Sequence, residues 1–352
     1  MNFNFYNPVH IEFGVFYLDV IEKIDSNNIL LLTSKSFEQR GISHQIQTLL
    51  GKKLKKTISS IPSNPEIHLF DGLRDVTKNI DFIIALGGGS VIDTAKVLSV
   101  NSKLEISEGN IFPKEINPFI PIYAFPTTSG TSSELTAWAT IWDKNNSKKY
   151  SLHLKEMYCK KAIYDPTLTL SLGRDLTIST ALDALSHSIE SIWNKNANPI
   201  STNNAINAIN LITKHLPELV KNLDSIYLRE QISLASVFAG LAFCSTQTAI
   251  AHAMSYPITM QKNIPHGIAC SFTLPFLLEN LPQSQAREIL YPYKDAINNL
   301  FIELGIKTNF QDYGINTEEL KAILNSLNAR AKNSLFDIEI LKKQLINQIQ
   351  GK

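Results

Sequence analysis

Asp183 and His187 stand four residues apart, and His252 and His266 follow them in the chain. One carboxylate and three imidazoles form a mixed oxygen–nitrogen donor set suited to Fe(II), Zn(II) or a similar first-row ion. A spacing of four places Asp183 and His187 on one face of a helix, where both reach a single ion. Taken singly, each of these histidines reads better as a hydrogen-bonded core residue, and an Asp-x-x-x-His pair is common by chance. The remaining histidines, His10, His44, His68, His153 and His215, read as structural or surface residues.

A second signal raises the weight of the first. Gly87-Gly88-Gly89-Ser90 lies between the apolar run Asp81–Leu86 and a helical pattern over Val91–Val100. Glycines let backbone pass close to a ligand. The start of the following helix offers free N–H groups and the positive end of its dipole to a pyrophosphate. The plain alternative is a tight strand-to-helix turn, which needs fewer glycines than this. The spacing is not Gly-x-Gly-x-x-Gly, because Ile92 occupies the last position, and no Gly-x-x-x-x-Gly-Lys-Ser/Thr loop is present. A third segment, Pro126-Thr127-Thr128-Ser129-Gly130-Thr131-Ser132-Ser133-Glu134, puts a run of hydroxyls after another apolar stretch. Ligands bind at the carboxyl edge of open parallel sheets, although this loop alone would read as flexible and polar. A phosphate cradle together with a metal site points to a metal-assisted enzyme that uses a nucleotide cofactor.

The elements that must position these groups alternate in the first half. Ile29–Thr33, Asp81–Leu86 and Pro121–Phe125 read as buried strands, with helical stretches over 36–50 and 91–100. That alternation implies an α/β dinucleotide-binding domain with a mostly parallel sheet. After Asp165-Pro166 the apolar spacing becomes three-to-four, over 174–195, 200–221 and 225–248 and then near 268–280, 286–304, 317–328 and 335–348. The expected organisation is an α/β domain over 1–168 and an all-helical, metal-binding domain over 169–352.

The chain has 352 residues, 44 % hydrophobic and 18 % charged, enough for two domains with sizeable cores. A net charge of +1 argues against a nucleic-acid partner. Cys159, Cys244 and Cys270 show no paired spacing and read as reduced thiols of a reducing compartment. No signal peptide and no bilayer-length apolar run is visible, so the expected location is the cytoplasm, with no membrane partner.

The ordered series Gly87-Gly88-Gly89-Ser90-Val91-Ile92-Asp93-Thr94-Ala95-Lys96, Pro126–Glu134, Ala162-Ile163-Tyr164-Asp165-Pro166, Asp183-Ala184-Leu185-Ser186-His187 and Ile264-Pro265-His266-Gly267 resembles the iron-dependent (group III) alcohol dehydrogenase family. The resemblance spans most of residues 60–270. It implies an N-terminal dinucleotide-binding domain, a helical C-terminal domain and an active site in the cleft between them, the architecture shared with dehydroquinate synthase and glycerol dehydrogenase. It implies Asp183, His187, His252 and His266 as metal ligands. Gly88, Gly89, Ser90, Thr127 and Thr128 would hold the pyrophosphate and nicotinamide ribose, with Asn64 and Lys149 as further contacts and Asp93 bracing the loop. The family and the apolar helical surfaces together suggest a homodimer or larger homo-oligomer.

Two departures from the family are informative. Many members carry an acidic residue after the second strand, whereas this chain reads Thr33-Ser34-Lys35. Ser34 leaves room for a 2′-phosphate and Lys35 could neutralise it, which favours NADPH over NADH; otherwise Lys35 simply faces solvent. Many relatives also carry a histidine four residues after the one matching His252, where this chain has Tyr256. Tyr256 can donate a hydrogen bond or a proton. The Ser255-Tyr256-Pro257 form, with Glu134–Asp143, looks like the phosphonoacetaldehyde reductase subgroup, which reduces phosphonoacetaldehyde to 2-hydroxyethylphosphonate. Arg174, Lys262 and Lys160 are candidate cations for an anionic substrate. Rival expectations are an alcohol dehydrogenase for another small aldehyde such as sulfoacetaldehyde or succinic semialdehyde, a lyase of the dehydroquinate synthase type, and a nucleotide-binding regulatory or structural protein without chemistry.

Overall fold

The computed structural model describes residues 2–107, 110–115, 117–146 and 148–351. The chain divides into two compact units, Asn7–Ser171 and Leu172 onward, the latter taking in the first residues through Tyr6.

In the first unit the strands are β1 (His10–Phe13), β2 (Ile29–Thr33), β3 (Leu54–Ile58), β4 (Phe82–Gly87), β5 (Leu104–Ser107), β6 (Asn110–Pro113), β7 (Ile122–Pro126), β8 (Trp138–Asp143), β9 (Lys148–His153) and β10 (Lys161–Tyr164). Its α-helices are α1 (Tyr17–Glu22), α2 (Lys35–Gln39), α3 (Ile42–Leu50), α4 (Ile67–Leu73) and α5 (Gly89–Ser99). Six strands form one parallel sheet in the order β1-β10-β7-β4-β2-β3. Alternation along the central strands sends Leu31, Ile84, Leu86 and Phe125 into one core with Ile21 and Ile46. Leu30, Leu32, Ile83 and Ala124 enter another with Ile92 and Ala95 of α5. A strand covered on both faces is apolar at every position, which is why β2 and β4 stand out in the sequence. The helical stretch expected over 36–50 is two helices. Gly41, with φ of 78°, takes the left-handed conformation between them.

In the second unit the helices are α6 (Arg174–Ile192), α7 (Pro199–Leu219), α8 (Ile226–Thr246), α9 (Ile250–Lys262), α10 (His266–Ala269), α11 (Leu274–Glu279), α12 (Gln285–Leu290), α13 (Lys294–Leu304), α14 (Thr317–Asn325) and α15 (Ile338–Ile349). Helix α7 starts where its sequence says it must. Pro199 fills the first helical position, the Asn198 side chain accepts from Ser201 N at 3.0 Å, and the Ser201 hydroxyl accepts from Asn198 N at 2.9 Å. One core joins Leu182, Leu185 and Ile189 of α6 to Ala208 and Ile212 of α7 and Ala235 and Ala239 of α8. Helix α6 is buried on almost every side, so any polar group it carries must find a partner. Among the described residues no single helix is long and apolar enough to cross a membrane.

Candidate functional site

Asp183 sits in the middle of α6 and is 3 % exposed. Its Oδ1 atom is the point on which the imidazoles converge: His252 Nε2 at 3.3 Å, His187 Nε2 at 3.8 Å and His266 Nε2 at 4.0 Å. Three of the four residues singled out in the sequence therefore stand around a carboxylate oxygen of the fourth. Burial works against ionisation of Asp183, but the imidazoles of His187, His252 and His266 hold its carboxyl well below the usual carboxylate range.

The tightest donor group differs in one member from the expected four. Asp183, His252, His266 and Cys270 each place a ligand atom within 4.8 Å of all the others. His187 stands at the side, its ring stacked at 3.9 Å on Phe243 and at 4.4 Å on His252. Tyr256, one turn after His252 on α9, stacks its ring 5.9 Å from that of His266.

Glu190 was not anticipated as part of this cluster. Fully buried on α6, it accepts from Ala249 N at 2.9 Å, Ala251 N at 2.6 Å and His252 N at 3.2 Å, and it pairs with His252 Nδ1 at 2.7 Å. One carboxylate thus satisfies the first turn of α9, where helix N–H groups lack internal partners. It also pairs with His252 Nδ1, so Nε2, aimed at Asp183, would be the nitrogen free to bind an ion once its proton is displaced. Burial works against a charged His252, yet Cys270 and the Glu190 and Asp183 carboxylates hold its proton affinity well above the ordinary value. The donor chemistry fits a divalent ion: an ionised carboxylate and imidazole nitrogens, in a pocket that otherwise binds protons tightly.

Helix α10 reaches the cluster through a close approach. A Cβ added at Gly267 would lie 1.8 Å from the Ser179 carbonyl oxygen, so only glycine lets α10 lie against α6. The Ser186 hydroxyl then donates to Cys270 O at 2.8 Å and fixes the end of that short helix.

The first unit holds the nucleotide-type residues. In the parallel register Gly87 pairs with Pro126 and Thr33 with Leu86, so Ser34, Gly88 and Thr127 leave neighbouring strands at the same sheet edge. Thr127 N donates to Gly87 O at 3.1 Å. A Cβ on Gly88 would meet Thr128 Oγ1 at 3.1 Å, and one on Gly89 would meet Thr131 Oγ1 at 2.6 Å. A side chain at Gly89 would therefore force Thr131 to move, and one at Gly88 would press on Thr128. Ser90 accepts from Asn64 N at 3.2 Å. Lys149 pairs across the hairpin with Trp142, whose N–H donates to Pro65 O at 3.0 Å, so Lys149 belongs to the same neighbourhood. Asp93 braces the loop, accepting from the Ser133 hydroxyl and from Thr140 N at 2.9 Å. Lys96, one turn further along α5 and fully buried, donates to Ser133 Oγ at 2.9 Å, Thr136 Oγ1 at 3.0 Å and Trp138 O at 2.8 Å. Ser34 starts α2 without a side-chain cap, and Lys35 beside it is exposed. Of the candidate cations, Lys262 is committed to Glu319 at 2.7 Å and Gly314 O at 2.6 Å. Arg174 reaches Leu304 O at 3.4 Å, and Lys160 is exposed.

A buried cluster of side chains that could hold a metal ion, on helices, and a glycine turn at the edge of a parallel sheet fit the class of nucleotide- and metal-dependent enzymes. The family profile for iron-containing alcohol dehydrogenases matches residues 13–166, and that for the C-terminal part of the Fe-containing alcohol dehydrogenase family matches residues 177–349. The chain belongs to the iron-containing alcohol dehydrogenase family and is an oxidoreductase of the aldehyde reductase and alcohol dehydrogenase class. It is 31 % identical to the sulfoacetaldehyde reductase of Bilophila wadsworthia, over 86 % of this chain and 85 % of that one. The crystal structure of sulfoacetaldehyde reductase from Bifidobacterium kashiwanohense in complex with NAD+ superposes with a TM-score of 0.88 at 27 % identity, covering 98 % of each chain. It is also 27 % identical to the aldehyde-alcohol dehydrogenase of Streptococcus pneumoniae, over 84 % of this chain but only 39 % of that longer protein.

Proposed function

We propose that this chain reduces a two-carbon aldehyde bearing a tetrahedral anionic group, phosphonoacetaldehyde to 2-hydroxyethylphosphonate, with NADPH and a divalent metal. The observation that carries the metal-dependent reading is the convergence of three imidazoles on Asp183 Oδ1, with His252 held from behind by Glu190. When bound, the ion supplies a Lewis acid for a carbonyl oxygen and the nicotinamide supplies a hydride. Asp183, His252 and His266 would hold the ion, with His187 at the side, in either the Fe(II) or the Zn(II) form. Glu190 fixes the His252 tautomer. Tyr256, beside His266, donates a hydrogen bond or the final proton to the oxygen that becomes the alcohol.

In the sheet unit the backbone over Gly88, Gly89 and Ser90 would receive the pyrophosphate. Thr127 and Thr128 offer hydroxyls at the same edge, and Asn64 and Lys149 border it. Ser34 and Lys35 support the choice of NADPH, since the positions directly after β2 carry a serine and a lysine rather than an acidic residue.

A second reading has its own support: the sulfoacetaldehyde reductase relatives favour sulfoacetaldehyde, which carries one negative charge less than the phosphonate dianion. The two are separated by kcat/KM for phosphonoacetaldehyde, sulfoacetaldehyde and succinic semialdehyde, measured with both nucleotides by nicotinamide absorbance. Highest kcat/KM for phosphonoacetaldehyde with NADPH is the expected result. Preference for NADH would sink the cofactor assignment. Turnover without net nicotinamide consumption would replace the reductase by a lyase of the dehydroquinate synthase type.

A further inference from the structure

Cys270 has no place in the donor set the sequence suggested, yet it occupies the cluster. It lies at the end of α10, one turn after His266, with Cys270 N donating to His266 O at 2.9 Å. That i, i+4 relation puts both side chains on one face, as it does for Asp183 and His187. Cys270 is fully buried and its Sγ is 3.4 Å from Asp183 Oδ1. Its sulfur, with the nitrogens of His252 and His266 and the Asp183 oxygen, completes a group whose ligand atoms all lie within 4.8 Å of each other. The turn carrying it is fixed by the Ser186 hydroxyl at 2.8 Å from Cys270 O and by the close seat of Gly267 on α6.

We propose that Cys270 is an inner-sphere ligand of the metal in this chain, giving an Asp183–His252–His266–Cys270 set with His187 as an outer or fifth donor. Coordination places a thiolate on the ion and releases the thiol proton to water. A sulfur donor favours zinc over ferrous iron, because soft thiolates select the softer ion. The chain therefore departs from an all oxygen–nitrogen centre at its own residue 270. The inference rests on the metal reading of this cluster.

X-ray absorption at the zinc edge of the zinc-loaded full-length protein tests it without relying on activity. A sulfur shell at about 2.3 Å beside nitrogen and oxygen at about 2.0–2.2 Å is the expected result for the wild type. Cys270→Ser should lose that shell and lose zinc selectively relative to ferrous iron in a competition experiment. Cobalt substitution gives a second readout: a thiolate-to-cobalt charge-transfer band in the wild type, absent in Cys270→Ser. Bound zinc with only nitrogen and oxygen scattering in the wild type, and no such band, would overturn the role of Cys270 while leaving the reductase reading intact. Absence of any bound metal by elemental analysis would overturn both.

Discussion

At the scale of single residues, the chemistry of the cluster is organised by a group that touches no substrate. Glu190 spends its two oxygens on three backbone amides and one imidazole, all at the start of α9. Replacing it by glutamine puts an amide donor where only acceptors fit and loosens the His252 ring. Metal affinity should fall about 10–100-fold in Glu190→Gln, read by competition with a chromophoric chelator, as expected for the outer-shell partner of a ligating histidine. Unchanged affinity would show that His252 is held by packing alone. A pH dependence follows from the same environment. His252 is raised well above its usual value, so its stabilising protonation in the metal-free protein is fully present below the unfolded value of about 6.5 and lost as pH rises through the folded one. The metal competes with that proton. Metal affinity should therefore rise with pH while the denaturation midpoint of the metal-free form falls, and pH-independent affinity would count against His252 as a ligand. That Asp183, His187, His252 and His266 come together could be read from their order, which is that of a known family. The places of Glu190 and Cys270 could not. One falls two turns after Asp183 and the other one turn after His266, but a buried glutamate on a helix and a lone thiol carry no chemical signature until the fold shows what they face.

At the scale of elements, the approach of α10 to α6 decides whether the cluster exists. Gly267→Ala sets a methyl group 1.8 Å from a backbone oxygen, which no side-chain rotation relieves. Destabilisation of about 1–3 kcal/mol or more in denaturant unfolding is expected, together with loss of metal through displacement of His266 and Cys270. A fully stable Gly267→Ala with intact metal binding would mean that α10 can shift freely. The strands β2, β4 and β7 could be read from the sequence because burial on both faces makes them continuous apolar runs. The edge strands β1 and β3 could not, and neither could β10, which lies inside the sheet but is only four residues long. Lys55 and Lys56 lie on β3, which forms one edge of the sheet, and β1 at the other edge is nowhere fully buried. Edge strands mix solvent and core at adjacent positions and lose the period that marks a strand. The β8–β9 hairpin does alternate, with Ala139, Ile141, Tyr150 and Leu152 turned onto Val97, Val100 and Phe70. It packs beside α5 rather than in the main sheet, however, and the continuous apolar run that marks the central strands is absent from it.

At the scale of the molecule, the proposed reading gives each of the two units its own ligand linkage. Whatever binds the folded state alone stabilises it, by about 2.7 kcal/mol at a hundredfold excess over Kd. That protection should appear locally. Zinc should slow amide exchange in α6, α9 and α10, and NADPH should slow it around Gly87–Ser90 and Thr127–Thr128, as read by hydrogen-exchange mass spectrometry. Protection by NADPH confined to the helical unit would remove the cradle assignment. The division of the chain after Ser171 falls where a parallel-sheet pattern gives way to three-to-four spacing, so the architecture was open to reading on periodicity. The N-terminal residues through Tyr6 join the helical unit, and nothing in their sequence announces that attachment.

The opening of α2 has an implication for how such an enzyme can diverge. Ser34 begins that helix without capping it, and its neighbour Lys35 is exposed, so neither side chain holds the sheet together. An aspartate at position 34 could cap the helix, which Ser34 does not do, so that exchange would cost the helix no stability. On the proposed reading, the choice between two coenzymes is therefore made at positions whose side chains do not cap α2. A lineage could exchange one reductant for the other by a single substitution, with the glycine cradle, the Lys96 network and the metal cluster left as they are.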